Sequence, residues 1–133
     1  MRGRLASPAI FQAGSADMKP ISLTVHGAID YLAVVIFAGA PAIIGLSGWP
    51  AALSYALAGI HLLMTLLTDF PAGVIKVIPI ALHQWVERIV GPVLIILALI
   101  SMSEAARAFF AAMGIIIFAV ERLTTYRSTD AAK

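Results

Sequence analysis

The chain has no cysteine, so disulfides, iron–sulfur clusters and thiolate metal sites are excluded. Charge is the second scarcity: Asp, Glu, Lys and Arg make up 12% of the 133 residues, against about 25% in a soluble domain. Histidine occurs three times and aromatic residues reach only 8%. No basic run is present, and the formal charge of +2 is carried by the flanks of an apolar body. Binding to nucleic acid is therefore not expected. No hydrolase triad, phosphate loop, zinc-protease helix or glycine-rich nucleotide fingerprint occurs, so nothing points to a conventional enzyme.

What the chain has in abundance is apolar length. Hydrophobic residues account for 61% of it. From Tyr31 to Thr68, 38 consecutive residues lack Asp, Glu, Lys and Arg. One span needs roughly 20 apolar residues, so this run holds two spans and a turn. The expected fold is an all-α membrane protein of four transmembrane helices arranged as two tandem helical hairpins. The spans are expected at about 21–45, 51–69, 82–102 and 105–125, within a membrane domain covering 18–127. Gly39 and Pro41 predict a kink in the first span, tolerated where a neighbour satisfies the freed carbonyl. Ser47-Gly48-Trp49-Pro50 reads as the first hairpin turn, and Asp69-Phe70-Pro71-Ala72-Gly73 ends the second span. Ala52, Ala56 and Gly59 form a small-residue stripe suited to close helix packing. The third and fourth spans have shorter charge-free runs, Ile89–Ser103 and Ala108–Val120. Residues 1–17 read as a disordered extension or a gene-start error, with Met18-Lys19-Pro20 a natural start, and residues 128–133 read as a polar tail.

The chemistry-bearing pattern is His26-Gly27-Ala28-Ile29-Asp30, echoed 57 positions later by His83-Gln84-Trp85-Val86-Glu87. In each, a His and an acid stand at i and i+4, on one helix face. The echo suggests that the first hairpin is duplicated as the second. A two-span unit returns to its starting side, so His26, Asp30, His83 and Glu87 are expected on the same side of the membrane. Eight of the nine Lys and Arg flank that side, against Arg107 alone on the other. Both termini are thus expected in the cytoplasm, in a bacterial-type inner membrane.

Ionisable groups in membrane spans are costly, which makes these residues the first candidates for function. The structural reading is a hydrogen-bonded His–acid pair that fixes helix packing. The functional reading is a convergent metal site of His26, Asp30, His83 and Glu87, suited to Zn, Fe or Mn without thiolates. His61 lies deeper in span two, with Ser54, Thr65 and Thr68 on its side. It is expected either to hydrogen-bond Asp30 or Thr65, or to bind haem or relay protons with His26 or His83. Arg88 beside Glu87 and Arg122 beside Glu121 are expected to neutralise their neighbours.

Two tandem two-span units with Ser47-Gly48-Trp49-Pro50 at the first turn resemble the small SPW-repeat-like bacterial membrane proteins. The Ser-Pro-Trp tripeptide itself is absent, and the second turn, Ser101-Met102-Ser103-Glu104, has neither Trp nor Pro. The resemblance implies a fold and no site residues.

Three functions follow as expectations. The leading one is a small non-catalytic accessory or assembly subunit, whose partners are the lipid bilayer and other membrane proteins or further copies of itself, with no cofactor. The second is a haem-, metal- or quinone-binding redox module using His26, His61 and His83. The third is a small proton-coupled transporter using Asp30, although the aromatic lining such exporters carry is missing apart from Tyr31.

Overall fold

In a computed structural model, which describes residues 19–100 and 103–126, the chain forms four α-helices and no strands among the described residues. They are α1 (Leu23–Ile43), α2 (Gly48–Leu67), α3 (Ile80–Ala98) and α4 (Glu104–Leu123). The first three are long and apolar enough to cross a membrane. α4 carries Glu104, Arg107, Glu121 and Arg122 near its ends and is the most polar of the four. The proposed extension (1–17) and tail (128–133) lie outside the described residues, as does the Ser101-Met102 part of the second turn.

Local chemistry sets the ends. The Ser22 side chain caps α1 by accepting from the Val25 N–H, and Ser103 caps α4 by accepting from the Ala106 N–H. Ser47-Gly48-Trp49-Pro50 is not a loop: α2 starts at Gly48, so Trp49 and Pro50 form its first turn. Proline is tolerated there because the first backbone N–H groups of a helix have no partner to lose. α3 likewise starts earlier than expected, directly after Pro79, and ends at Ala98 rather than 102.

α1 runs through Pro41 unbroken. Pro41 has no N–H to give the carbonyl four residues back, that of Phe37. The Ser54 hydroxyl of α2 donates to this oxygen at 2.6 Å instead. The neighbour required by the sequence is therefore a serine buried in the α1–α2 contact.

The exterior is apolar and the interior holds the polar groups. Val35, Ile43, Leu63, Ile96 and Leu99 are exposed, while His26, Asp30, Ser54, Thr65, His83, Glu87 and Glu121 are buried. Water would not tolerate this inversion, but a bilayer requires it. α1 packs against α2 and α3 against α4. Below the polar cluster, Phe37, Leu94, Ala98, Ala106, Phe110 and Met113 make a compact core.

Close approach between helices is carried by α3 and α4, not by the stripe on α2. A Cβ at Gly91 would stand 3.0 Å from the Gly114 carbonyl oxygen and 2.8 Å from Phe118 Cβ. Ala52, Ala56 and Gly59 face outward, and a Cβ at Gly59 would meet nothing within 4 Å. Gly91→Ala should therefore destabilise the fold by about 1–3 kcal/mol through overpacking. Gly59→Ala should be neutral, or stabilising by up to about 1 kcal/mol from helix propensity. Unfolding of the two variants in detergent, followed by circular dichroism, checks the contrast.

Candidate metal centre

The ends of the helices are tied together in two matching ways. Residues 69–79 fold back on the end of α2: the Ile78 N–H donates to the Leu67 carbonyl at 2.8 Å, and the Asp69 N–H to the Ile78 carbonyl at 2.8 Å. At the other junction, the Ile21 N–H donates to the Leu123 carbonyl at 3.1 Å, and the Thr125 N–H to the Ile21 carbonyl at 2.9 Å. Thr68 thus lies beside the start of α3, and Thr124 beside the start of α1.

Each threonine then meets a histidine. Thr68 Oγ1 lies 2.8 Å from His83 Nδ1, and Thr124 Oγ1 lies 2.8 Å from His26 Nδ1. Both hydroxyls are already committed as donors, to the carbonyls of Met64 at 2.5 Å and Val120 at 2.6 Å. A hydroxyl has one proton, so toward the ring it can only accept. Both histidines therefore carry their proton on Nδ1, and the tautomer is fixed from outside the cluster.

Both Nε2 atoms turn inward, onto two carboxylates. His26 Nε2 is 3.4 Å from Asp30 Oδ1 and 3.2 Å from Glu87 Oε2. His83 Nε2 is 3.5 Å from Asp30 Oδ2 and 3.4 Å from Glu87 Oε1. Each carboxylate presents one oxygen to each imidazole. The four side chains are at most 5% exposed, and one donor atom from each lies within 4.8 Å of the others. Neither Nε2, nor Asp30 Oδ2, makes a hydrogen bond.

Buried polar atoms without partners are rare and call for an explanation. Charge-assisted N–H···O contacts measure about 2.7–2.9 Å, shorter than any of these four. Donors roughly 2.0–2.2 Å from a central ion in tetrahedral arrangement stand about 3.3–3.6 Å apart; each imidazole meets both carboxylates near that spacing, through a different oxygen of each, and one donor atom per side chain forms a set within 4.8 Å. Two imidazoles and two carboxylates suit Zn, Fe or Mn by donor type. The threonines supply the outer contacts that metal-binding histidines normally require.

The surroundings close the site. A Cβ at Gly27 would collide with Ala72 and stand 2.9 Å from Phe70, so glycine here lets the α2–α3 connection fold over the cluster. The Phe70 ring, itself buried, lies 5.7 Å from that of His83 and 6.4 Å from that of His26. The Tyr126 hydroxyl donates to Glu87 Oε2 at 3.4 Å. Burial, and then the Glu87 carboxylate, push this phenol above its ordinary pKa, so it remains a donor at neutral pH.

The structure brings together all four residues expected to bind metal. His61 approaches from one side, with its Nε2 3.5 Å from Asp30 Oδ1. The Thr65 hydroxyl goes to the backbone carbonyl of His61 and not to its ring. The three histidine rings pack against one another, with the His61 and His83 centroids 6.3 Å apart. The His26 and His83 rings have centroids 5.7 Å apart with the two carboxylates against their Nε2 atoms, and the adjoining cavity measures about 30 Å³.

Of the two arginines, Arg122 pairs with its neighbour Glu121 as expected, and Arg88 departs from expectation. Arg88 does not neutralise Glu87 but reaches across to α4, where its Nη2 lies 2.7 Å and its Nε 3.1 Å from Glu121 Oε1. Adjacent helical residues diverge, so Arg88 points away from Glu87 and toward the facing helix. Gln84 joins this group by donating to the same oxygen at 3.1 Å. Arg122 is more exposed and lies 3.7 Å from Glu121 Oε2.

Thr68, Thr124 and Tyr126 were not identified as site residues by sequence reasoning. The signal available was that Thr124 follows Thr68 by 56 positions, nearly the interval that separates the two histidines. Comparison with protein-family models, with curated proteins and with solved structures finds no match to this chain.

Arg88→Ala should destabilise the protein by about 1–3 kcal/mol, because it strands a buried carboxylate. Arg122→Ala should cost under about 0.5 kcal/mol, as for an ordinary surface substitution. Thermal unfolding of both variants in one detergent tests the ranking.

Proposed function

We propose that this chain is a small integral inner-membrane protein that holds one divalent transition-metal ion between His26, Asp30, His83 and Glu87. The observation that carries the reading is the pair of inward Nε2 atoms, each on a ring whose Nδ1–H is taken by a threonine and each facing two carboxylates. A neutral ring so held turns its lone pair toward the carboxylates, and a cation between them removes the repulsion. A divalent ion also cancels the two carboxylate charges, as a low-dielectric interior demands. With four protein donors the ion acts first as a staple joining α1 to α3, in keeping with a non-catalytic accessory or assembly subunit. The outward Ala52, Ala56 and Gly59 on α2 give such a subunit a surface that another helix can approach closely.

The same reading includes α4 as a fourth span, both termini in the cytoplasm, and two copies of one hairpin. Support comes from the apolar middle of α4, from Lys19, Lys76, Arg88 and Arg122 near the cluster end, and from the equivalent His83–Thr68 and His26–Thr124 contacts. The transporter reading is less well supported. Asp30 is 1% exposed and is surrounded by His26, His61 and His83, so it faces no substrate.

Protein purified in mild detergent should carry close to one metal ion per chain by elemental analysis. Asp30→Asn and Glu87→Gln should abolish it. Thr68→Val should weaken binding about 10–100-fold while leaving the helices intact, since it touches only the outer contact. Occupancy should fall as the pH is lowered, because protons compete for the same Nε2 atoms. If the purified chain holds no metal and takes up none of Zn²⁺, Fe²⁺ or Mn²⁺, the reading is wrong. The cysteine-free background allows topology to be tested directly: cysteines placed at Lys19 and Lys76 should label only from the cytoplasmic side.

A further inference from the structure

A cavity of about 30 Å³ adjoins the cluster. Its walls come from all four helices and include Phe37, Leu57, Ile60, Met64 and Ile117. Two of the metal donors, His83 and Glu87, also line it, and His61 is the one other polar side chain there. Ile60, in its wall, is 56% exposed on the outside of α2, which puts the cavity beside the lipid-facing surface. It is a short apolar cavity with the metal donors at one end.

We infer that the bound ion, as iron(II), takes a small neutral diatomic ligand of the dioxygen and nitric oxide type in this cavity, delivered from the bilayer. This rests on the metal-binding reading above. Size comes first: the space suits one or two water-sized molecules and nothing with a chain or a ring. Its lining is apolar except at the inner end, so water gains few hydrogen bonds, whereas a neutral diatomic loses none. The Ile60 wall stands next to the hydrocarbon, where such gases concentrate.

The coordination geometry provides a position. Glu87 presents both oxygens to the cluster, Oε1 toward His83 and Oε2 toward His26. Glu87 also lines the cavity, so an ion held by it would have its open side toward that space. His61 sits at the same side, 14% exposed, with its Nε2 3.5 Å from Asp30 Oδ1. It can donate a hydrogen bond to the outer atom of a bound diatomic, which no other side chain of the cavity offers. Coordination of this kind makes and breaks only bonds to the ion and requires no electron from elsewhere.

The test uses the full chain in detergent, loaded anaerobically with Fe²⁺, with iron content measured before nitric oxide is added. The wild type should give the half-integer-spin EPR signal of a non-haem iron nitrosyl, close to one per bound iron. Leu57→Phe, which fills the cavity, should keep its iron and bind nitric oxide at least about tenfold more weakly. Ile60→Phe, in the lipid-facing wall and outside the packed core, provides a second plug should Leu57→Phe misfold, and should slow formation of the nitrosyl. An iron-loaded wild type without a nitrosyl signal, or plugged variants that bind nitric oxide as the wild type does, overturns the inference while the metal site stands. Failure to load iron, zinc or manganese overturns both.

Discussion

Two threonine hydroxyls determine what the centre of this protein can be. Each donates its one proton to its own helix, Thr68 to Met64 and Thr124 to Val120, and so can only accept from the histidine beside it. That contact places a proton on the outer nitrogen of the ring, so a neutral imidazole turns its lone pair inward, at His83 and at His26 alike. The bond is made at the end of one hairpin to the start of the other. The tautomers are therefore set only when both hairpins are in place. Folding and donor chemistry are coupled at the same two atoms.

This dependence explains features of the fold that packing alone does not. Residues 69–79 have no helix, yet their backbone is paired back onto α2, which places Thr68 and brings Phe70 and Ala72 over Gly27. Ile21 does the same for the end of α4, placing Thr124. On the opposite side of the cluster, Gly91 and Gly114 bring α3 and α4 into backbone contact, and Arg88 and Gln84 satisfy Glu121. A polar site inside lipid must have every outer contact provided by protein, because no water is present to supply what is missing. The short polar segments at the helix ends serve that requirement.

The sequence revealed the frame and the four donors because both depend on short-range regularities. A 38-residue run without charge requires two spans, and His and acid at i and i+4 share a face whatever lies around them. The repeat interval of 57 then placed His26, Asp30, His83 and Glu87 at one level. What it could not reveal was partnership across helices. Arg88 adjoins Glu87 in the chain but pairs with Glu121, since a helix turns about 100° between neighbours. Ala52, Ala56 and Gly59 have the right spacing for packing, but periodicity does not say which face looks inward, and theirs looks out. Thr68 and Thr124 were readable only as polar residues near helix ends. Their roles depend on backbone pairing outside the helices, Thr68 with Ile78 across the α2–α3 connection, 10 residues apart, and Thr124 with Ile21, 103 residues apart.

Charge balance then narrows what can occupy the cluster. Asp30 and Glu87 bring two negative charges into an interior where a lone charge costs many kcal/mol, and the nearest arginine is committed to Glu121. Two positive charges must come from within the ring of donors. Protons on both Nε2 atoms would supply them in number, through contacts of 3.2–3.5 Å that are longer than charge-assisted hydrogen bonds. One divalent ion would supply the same charge from a central point, with one donor atom from each of the four side chains within 4.8 Å of the others. Neutrality and the inward convergence of the four side chains are separate arguments for the proposed occupant.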